Sequence, residues 1–171
     1  MSVPLYFDQL AVGNQWETRG RTVTETDIVQ FACTTGDFDP LHVDHEQAKQ
    51  TPFRRPIAHG LLGVTWVAGL ASHYPLVHTV AFLGIHDWEF LKPIFVGDTL
   101  RVINSIQDLR LEGRRRGHVV WNRQLMNQDN MVVQRGLFET LVAVSPNVVA
   151  TPRKLETVSR NFLGRHGLAS E

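Results

Sequence analysis

Apolar and polar residues follow two different spacings along this chain of 171 residues. The second half contains four long runs rich in Val, Ile, Leu, Phe and Trp, a composition that is typical of β-strands. The predicted strands span residues 80–91, 98–111, 118–128 and 131–144. The connections between them are short, which predicts that successive strands run antiparallel.

The first half of the chain contains a short predicted strand over residues 14–20 and then helix signals. Thr24 is a predicted N-cap with acidic residues in the following turn, and Gly36 is a predicted helix end. Pro40 drives the residue before it into an extended conformation, which predicts a shaped loop between Gly36 and the next helix. That next helix is short, begins after Asp44 in a capping-box pattern and runs through Lys49.

Residues 56–86 contain no Asp, Glu, Lys or Arg, although 20% of the chain is charged. The apolar run within this stretch is too short, and too interrupted by glycine, for a membrane span. It predicts a helix at about 60–73 that is apolar nearly all round and must therefore be surrounded. The pattern favours an α+β fold in which an antiparallel sheet wraps this helix. The open sheet edges favour pairing with a second copy, as a homodimer or a dimer-based higher oligomer.

Composition narrows the class of protein further. The chain has 17 basic and 17 acidic side chains and is 43% hydrophobic, which argues against a disordered chain or a nucleic-acid-binding protein. Cys33 is the single cysteine, so no internal disulfide can form, and the N-terminal residues lack the pattern of a signal peptide. We therefore expect one cytoplasmic domain over residues 1–171, with a core at about 15–145, a tail at 146–171 and no membrane partner.

The residues best suited to chemistry surround the start of the apolar helix. Asp37 and His42 lie five positions apart across Pro40, and a carboxylate and an imidazole so placed can share and activate one water. The alternative is that Asp37 caps a turn and His42 only packs. Gly60 lies near the helix N-terminus, where unpaired amides and the helix dipole favour an oxyanion.

Three segments in this order resemble the MaoC-like (R)-specific enoyl-CoA hydratases and acyl dehydratases. They are Thr-Gly-Asp-Phe-Asp-Pro-Leu-His-Val-Asp at 35–44, Arg-Pro-Ile-Ala-His-Gly-Leu at 55–61 and Phe-Leu-Lys-Pro-Ile-Phe-Val-Gly-Asp at 90–98. The resemblance implies the hotdog fold and reversible hydration of a trans-2-enoyl-CoA to a 3-hydroxyacyl-CoA. It implies Asp37 and His42 as the catalytic pair and the Gly60 amide as the donor to the thioester oxygen. No separate cofactor is implied, because coenzyme A is part of the substrate.

Two positions depart from the family pattern, since Asp39 replaces the usual Asn and Ala68 replaces a small hydroxyl residue of some relatives. Further candidates for contact with the acyl-CoA substrate are Pro40, His59, Arg54, Arg55 and Leu61. The arginines at 114–116 are an additional candidate for the coenzyme A phosphates, because Arg suits phosphate contacts; solvated loop charge is the simpler interpretation for each arginine cluster.

Other functions remain open on the sequence. A branched or dicarboxylic substrate such as mesaconyl-CoA is an alternative within the hydratases, and a hotdog thioesterase or a non-catalytic acyl-CoA-binding protein are alternatives outside them. His42 and His45 are spaced unlike the metal-binding helix pattern, so no metal site is expected.

Overall fold

The secondary structure of the computed structural model, which describes residues 3–146, is a mixture of short helices and long strands. One 3-10 turn, Phe7–Gln9, precedes the helices α1 Glu25–Thr35, α2 Pro40–Val43, α3 His45–Ala48 and α4 Gly60–Ala71. The strands are β1 Gln15–Glu17, β2 Arg21–Thr22, β3 Thr79–Phe90, β4 Thr99–Glu112, β5 Arg116–Met126 and β6 Val132–Ala143. The four long strands lie where the hydrophobic runs predict them, and the predicted tail falls, after residue 146, outside the described residues.

The strand order in the antiparallel sheet is β1-β4-β5-β6-β3, and β2 also pairs with β4. The two short connections, between β4 and β5 and between β5 and β6, join antiparallel neighbours as predicted, whereas β3 pairs with β6 and not with β4. The connection between β3 and β4 bonds elsewhere instead of closing a hairpin. The amides of Leu91 and Lys92 donate to the Val133 carbonyl, and the Ile94 carbonyl accepts from Ala58. This segment thus joins the last strand to the chain that leads into α4.

Helix α4 packs across one face of the sheet, which confirms the predicted helix-and-sheet architecture. Its buried side chains include Trp66 and Val67, which belong to the same core as Trp121 of β5 and Phe138 of β6. The opposite face of α4 is open, with Leu61 62% exposed. Within this chain, α4 is therefore covered on one face only, and not on all sides as predicted. Within residues 3–146, no helix is long and apolar enough to cross a membrane.

The ends of α1 and the start of α3 carry the predicted capping residues. Thr24 caps α1 in a reciprocal capping box with Asp27, and Gly36 ends it in the left-handed conformation. The side chain of Asp44 caps α3 as predicted. The predicted loop after Gly36 is present over residues 36–39, but it ends sooner than expected because α2 begins at Pro40. Proline is well accommodated at the first position of a helix, where its missing N–H would have no partner.

Arg123 is a charged residue inside this core. Its Nε donates to the buried Asn104 at 3.2 Å, and its guanidinium lies 4.5 Å from the ring centroid of Phe138. Burial lowers the pKa of Arg123 to about 10, so the side chain stays charged at neutral pH.

Candidate active site

Asp37 lies at the surface in a series of turns, which are stabilised by hydrogen bonds between nearby carboxylates and backbone amides. The left-handed Gly36 redirects the chain out of α1, and the Asp37 carboxylate accepts from the Asp39 amide at 3.2 Å. The Asp39 carboxylate in turn accepts from the Leu41 amide at 2.8 Å and so caps α2. The Asp37 side chain is 53% exposed, so it can cap its turn and still present an oxygen to solvent or substrate.

His42 lies on α2 with its ring orientation set by one backbone bond. Its Nδ1 is 2.7 Å from the Ile57 carbonyl oxygen. A carbonyl can only accept, so Nδ1 carries the hydrogen of this bond, and in the neutral ring Nε2 is then the nitrogen with the lone pair. The Ile57 amide bonds back to the Leu41 carbonyl at 3.3 Å, which ties α2 to the segment before α4. This arrangement presents Nε2 as a proton acceptor.

His59 is buried next to this pair and does not line the cleft described below. It is 2% exposed, and its ring stacks on His42 with a centroid distance of 3.8 Å and an interplanar angle of 29°. Its Nε2 donates to the backbone oxygen of Asp37 at 2.9 Å. Phe31 of α1 also packs against the His59 ring, with a centroid distance of 5.0 Å. His59 therefore acts as a buried support for both Asp37 and His42, a role that the sequence spacing did not reveal.

Asp37, His42 and His59 also place one possible metal-ligand atom each within 4.8 Å of one another. The geometry of the rings argues against a shared ion, because an imidazole lone pair lies in its ring plane and these two planes are stacked. His45, the other histidine considered as a ligand, instead lies 2.7 Å from Glu25. The absence of a metal remains a prediction.

Gly60 begins α4 directly after His59, whose side chain does not cap the helix. Amides in a first helical turn lack intrahelical partners, and the helix dipole adds partial positive charge there. A Cβ at Gly60 would lie 2.9 Å from a ring carbon of Phe90, so a larger residue here would displace that ring. A cleft of about 360 Å³ opens at this point, and the residues that line it include His42, Phe53, Gly60, Phe90, Lys92 and Gln134.

The other residues predicted to bind substrate lie outside the lining of this cleft. Pro40 forms the first turn of α2, and Leu61 lies on the open face of α4. The Arg54 side chain reaches the Lys49 carbonyl at 3.4 Å, and the Arg55 guanidinium stacks over the Phe95 ring at 3.9 Å. Their contact with coenzyme A remains a prediction.

The arginines at 114–116 lie at the far end of the sheet. Arg116 pairs with Ala143, whereas the cleft residue Gln134 pairs with Leu125. These pairs are nine positions apart along β5, which is about 30 Å at the usual rise of a strand. Arg116 is also bonded to Glu112 at 3.2 Å. Within one copy of the chain, this cluster is too distant to serve the cleft.

Lys92 and Gln134 are cleft residues that the sequence interpretation missed. Lys92 stands inside the 90–98 segment that carries the family resemblance, but nothing in the spacing assigns it a role. Gln134 is a polar residue at a buried position of β6, and only the packing of that strand against α4 brings it to the site.

The two departures from the family pattern also have a structural meaning. Asp39 caps α2 through an oxygen, so a carboxylate supplies the hydrogen-bond acceptor that this position needs without an amide donor. Ala68 lies on the exposed face of α4, away from the helix side that packs on the sheet.

Comparison with known proteins identifies the family. The model of the MaoC-like domain matches residues 8–127. The chain belongs to this family. It is 35% identical over 114 residues to the 3-hydroxybutyryl-CoA dehydratase of Methylorubrum extorquens, a match that covers 65% of this chain and 69% of the relative. Against the protein MaoC of Klebsiella aerogenes it is 34% identical over 97 residues, which is 57% of this chain but only 29% of that longer protein.

Solved structures give the same fold. The unliganded R-hydratase of Pseudomonas aeruginosa superposes with a TM-score of 0.70 at 25% identity, covering 92% of this chain and 97% of that one. A Mycobacterium tuberculosis protein with a double hotdog fold has a TM-score of 0.73 at 20% identity, covering 85% of this chain and 46% of the other. The predicted hotdog fold is thus confirmed. The enzyme class expected from the sequence, a hydro-lyase, is that of the relatives named as hydratases and dehydratases.

Proposed function

We propose that this protein catalyses the reversible hydration of a trans-2-enoyl-CoA to a 3-hydroxyacyl-CoA. The observation that carries the proposal is that the exposed Asp37 carboxylate lies within 4.8 Å of an imidazole nitrogen of His42, which lines one cleft together with Gly60 at the start of α4. A coenzyme A thioester also fits the cytoplasmic location expected from the sequence.

The Gly60 amide would donate to the thioester carbonyl oxygen and stabilise the enolate that develops there. Such preorganised donors supply a large share of catalysis in related chemistry. Water positioned by Asp37 and His42 adds its oxygen to C3 and loses one proton to the pair. The pair returns one proton to C2, so the enzyme ends unchanged and the product contains all atoms of one water.

The test is to incubate the pure protein with crotonyl-CoA, octenoyl-CoA and mesaconyl-CoA and to follow loss of the conjugated double bond. Asp37→Asn and His42→Ala should each lower kcat by about two to four powers of ten, the usual contribution of an acid–base group. His45→Ala is the matched control, because this histidine lies three residues further on and its exposed side chain pairs with Glu25.

Full activity in either site variant would refute the assignment of the pair. Release of free coenzyme A thiol instead of hydration would identify a thioesterase. Binding of crotonyl-CoA without turnover would identify an acyl-CoA-binding protein.

We also propose that the protein functions as a homodimer joined along β3. This strand is an edge of the sheet and exposes four large apolar side chains, Val80, Phe82, Leu83 and Ile85, each between 39% and 56% exposed. An unpaired apolar edge is a template for pairing with another chain, and a second copy supplies a matching edge. The open face of α4 at Leu61 would gain cover in the same way.

Sedimentation velocity on the wild type should show a dimer or a multiple of one. Leu83→Lys should shift the protein toward monomer, whereas Val12→Lys, at another exposed apolar residue, should not. A wild-type monomer at micromolar concentration would contradict the dimer.

A further inference from the structure

Two segments of the chain supply most of the cleft wall, one leading into α4 and the other following β3. The first contributes Phe53 and residues up to Gly60, and the second contributes Phe90 and residues up to Ile94. Residues 50–60 and 90–97 contain no carboxylate, although the chain as a whole has equal numbers of acidic and basic side chains. They contain three cationic side chains, which are Arg54, Arg55 and Lys92. Neither wall therefore balances its positive charge with acidic residues of its own.

Lys92 is the charged residue in the lining of the cleft. It lies two positions beyond Phe90, whose ring lies against Gly60 at the start of α4. Its side chain is exposed and has no ion-pair partner among residues 3–146. Four other exposed cations each pair with a carboxylate: Arg21, Lys49, Arg116 and Arg135. The Lys92 ammonium group is thus available to an anion that enters from solvent.

Arg55 is a second exposed cation beside the cleft, and its guanidinium is held by stacking. The guanidinium lies over the ring of Phe95 at 3.9 Å from the centroid, and Phe95 directly follows the cleft residue Ile94. The N–H donors of a guanidinium lie in its plane, so stacking on a ring leaves them free to bond. No carboxylate among residues 3–146 pairs with Arg55, whereas Arg54 reaches back to the Lys49 carbonyl at the end of α3.

A coenzyme A thioester brings anionic groups to this rim by its own constitution. Its thioester is neutral and would bind at Gly60, while its phosphates lie at the far end of the pantetheine arm. Those phosphates would remain at the solvent side, because an ionised group is costly to bury without a partner. Arg55 is five positions from Gly60, at most about 18 Å of extended chain. Arginine suits the paired oxygens of a phosphate, and lysine binds phosphate as a point charge.

We propose that Arg55 and Lys92 bind the phosphate groups of coenzyme A, so that the protein recognises the nucleotide end of its substrate as well as the acyl thioester. This inference rests on the proposed hydratase function and assigns the second half of its substrate-binding site. The two cations would act in binding alone, while Asp37 and His42 carry the proton transfers.

The test compares crotonyl-CoA with crotonyl-pantetheine, which has the same thioester and pantetheine arm but no phosphate. The wild type should have a lower KM for crotonyl-CoA. The double variant Arg55→Met/Lys92→Met should raise the KM for crotonyl-CoA roughly tenfold or more, the range of two charge-assisted contacts at an exposed site. Its kcat, and its kinetics with crotonyl-pantetheine, should stay near the wild-type values.

Two further variants separate phosphate binding from other effects of charge. Arg55→Lys keeps the charge but loses the planar fork, so its KM for crotonyl-CoA should lie between those of the wild type and Arg55→Met. Arg110→Met is the matched control for net charge, and it should leave the KM unchanged. Arg110 pairs with His118 of β5, seven positions or about 23 Å along that strand from Leu125, which pairs with the cleft residue Gln134.

Three results would overturn the proposal. A wild-type KM for crotonyl-CoA in the double variant would mean that the phosphates bind elsewhere. An equal loss with crotonyl-CoA and crotonyl-pantetheine would mean that the two residues only maintain the shape of the cleft. A loss with mesaconyl-CoA but not with crotonyl-CoA would mean that the cations bind a carboxylate on the acyl group.

Calorimetric titration with free coenzyme A and with pantetheine distinguishes failure of this inference from failure of the hydratase proposal. Tighter binding of coenzyme A than of pantetheine, lost in the double variant, would support the phosphate contacts even if no thioester were hydrated. Hydration of crotonyl-CoA combined with equal binding of the two ligands by the wild type would overturn the phosphate proposal alone.

Discussion

The segment from residue 36 to residue 60 and the four long strands are stabilised in different ways. The segment contains only two four-residue helices, α2 and α3, and its turns depend on the carboxylates of Asp37, Asp39 and Asp44. The strands β3 to β6 depend on continuous backbone ladders and a buried apolar core. Most of the candidate catalytic residues thus lie in the 36–60 segment, where hydrogen bonds from individual side chains stabilise the backbone.

The difference implies that activity and stability can be altered separately. Few bonds tie the segment to the rest of the protein, among them the one from the Ala58 amide to the Ile94 carbonyl at 2.8 Å. Changes in the segment should therefore move catalytic groups without unfolding the sheet. Changes in the strands should unfold the protein before they affect the chemistry directly.

The largest expected effect on stability comes from Phe138→Ala. Phe138 is 1% exposed and packs edge-on against Phe82 and Trp88, so its removal leaves a cavity. We expect the free energy of unfolding to fall by about 3–5 kcal/mol, measured by urea denaturation. Phe38→Ala makes the same chemical change in the 36–60 segment, where Phe38 is 54% exposed. Its effect should stay within about 0.5 kcal/mol, and equal losses in the two variants would remove the contrast between the regions.

His59→Phe tests the support beneath the catalytic pair. Phenylalanine retains a ring against His42 but removes the bond from Nε2 to the Asp37 backbone oxygen. We expect kcat to fall about tenfold with little change in KM, because small displacements of catalytic groups reduce rates strongly. The melting temperature should change by only a few degrees. A wild-type kcat would show that His59 is a packing residue alone.

Asp27→Asn has the smallest expected effect and tests a cap outside both regions. Desolvation raises the pKa of the Asp27 carboxyl, but bonds from Thr24 and the charge of Arg21 outweigh it and lower the pKa below its ordinary value. An acid with a lowered folded-state pKa stabilises the protein above its unfolded pKa and loses this contribution as pH falls through the folded value. We expect the variant to be about 1 kcal/mol less stable at pH 7, and the gap to close below about pH 4. A gap that is constant with pH would refute this electrostatic origin.

Elements with local signals were predictable from the sequence. Thr24 and Gly36 delimit α1, and the charge-free run contains α4, because caps and periodicity act within a few residues. The candidate pair Asp37 and His42 was also visible, since five positions across a proline keep two side chains close. The turn of helix at Pro40 was missed because proline suits both an extended loop and a first helical position.

Contacts between segments that are distant along the chain could not be predicted from local sequence patterns. The longer helices, the four long strands and the candidates for chemistry follow from the sequence, because each depends on neighbours along the chain. Three pairings come from the folded chain alone: β3 pairs with β6, His59 stacks on His42, and Gln134 bonds to Gly60 across 74 positions. Those pairings are set by packing between elements, and a buried Gln or His reads the same in sequence whether it faces a cleft or only the core.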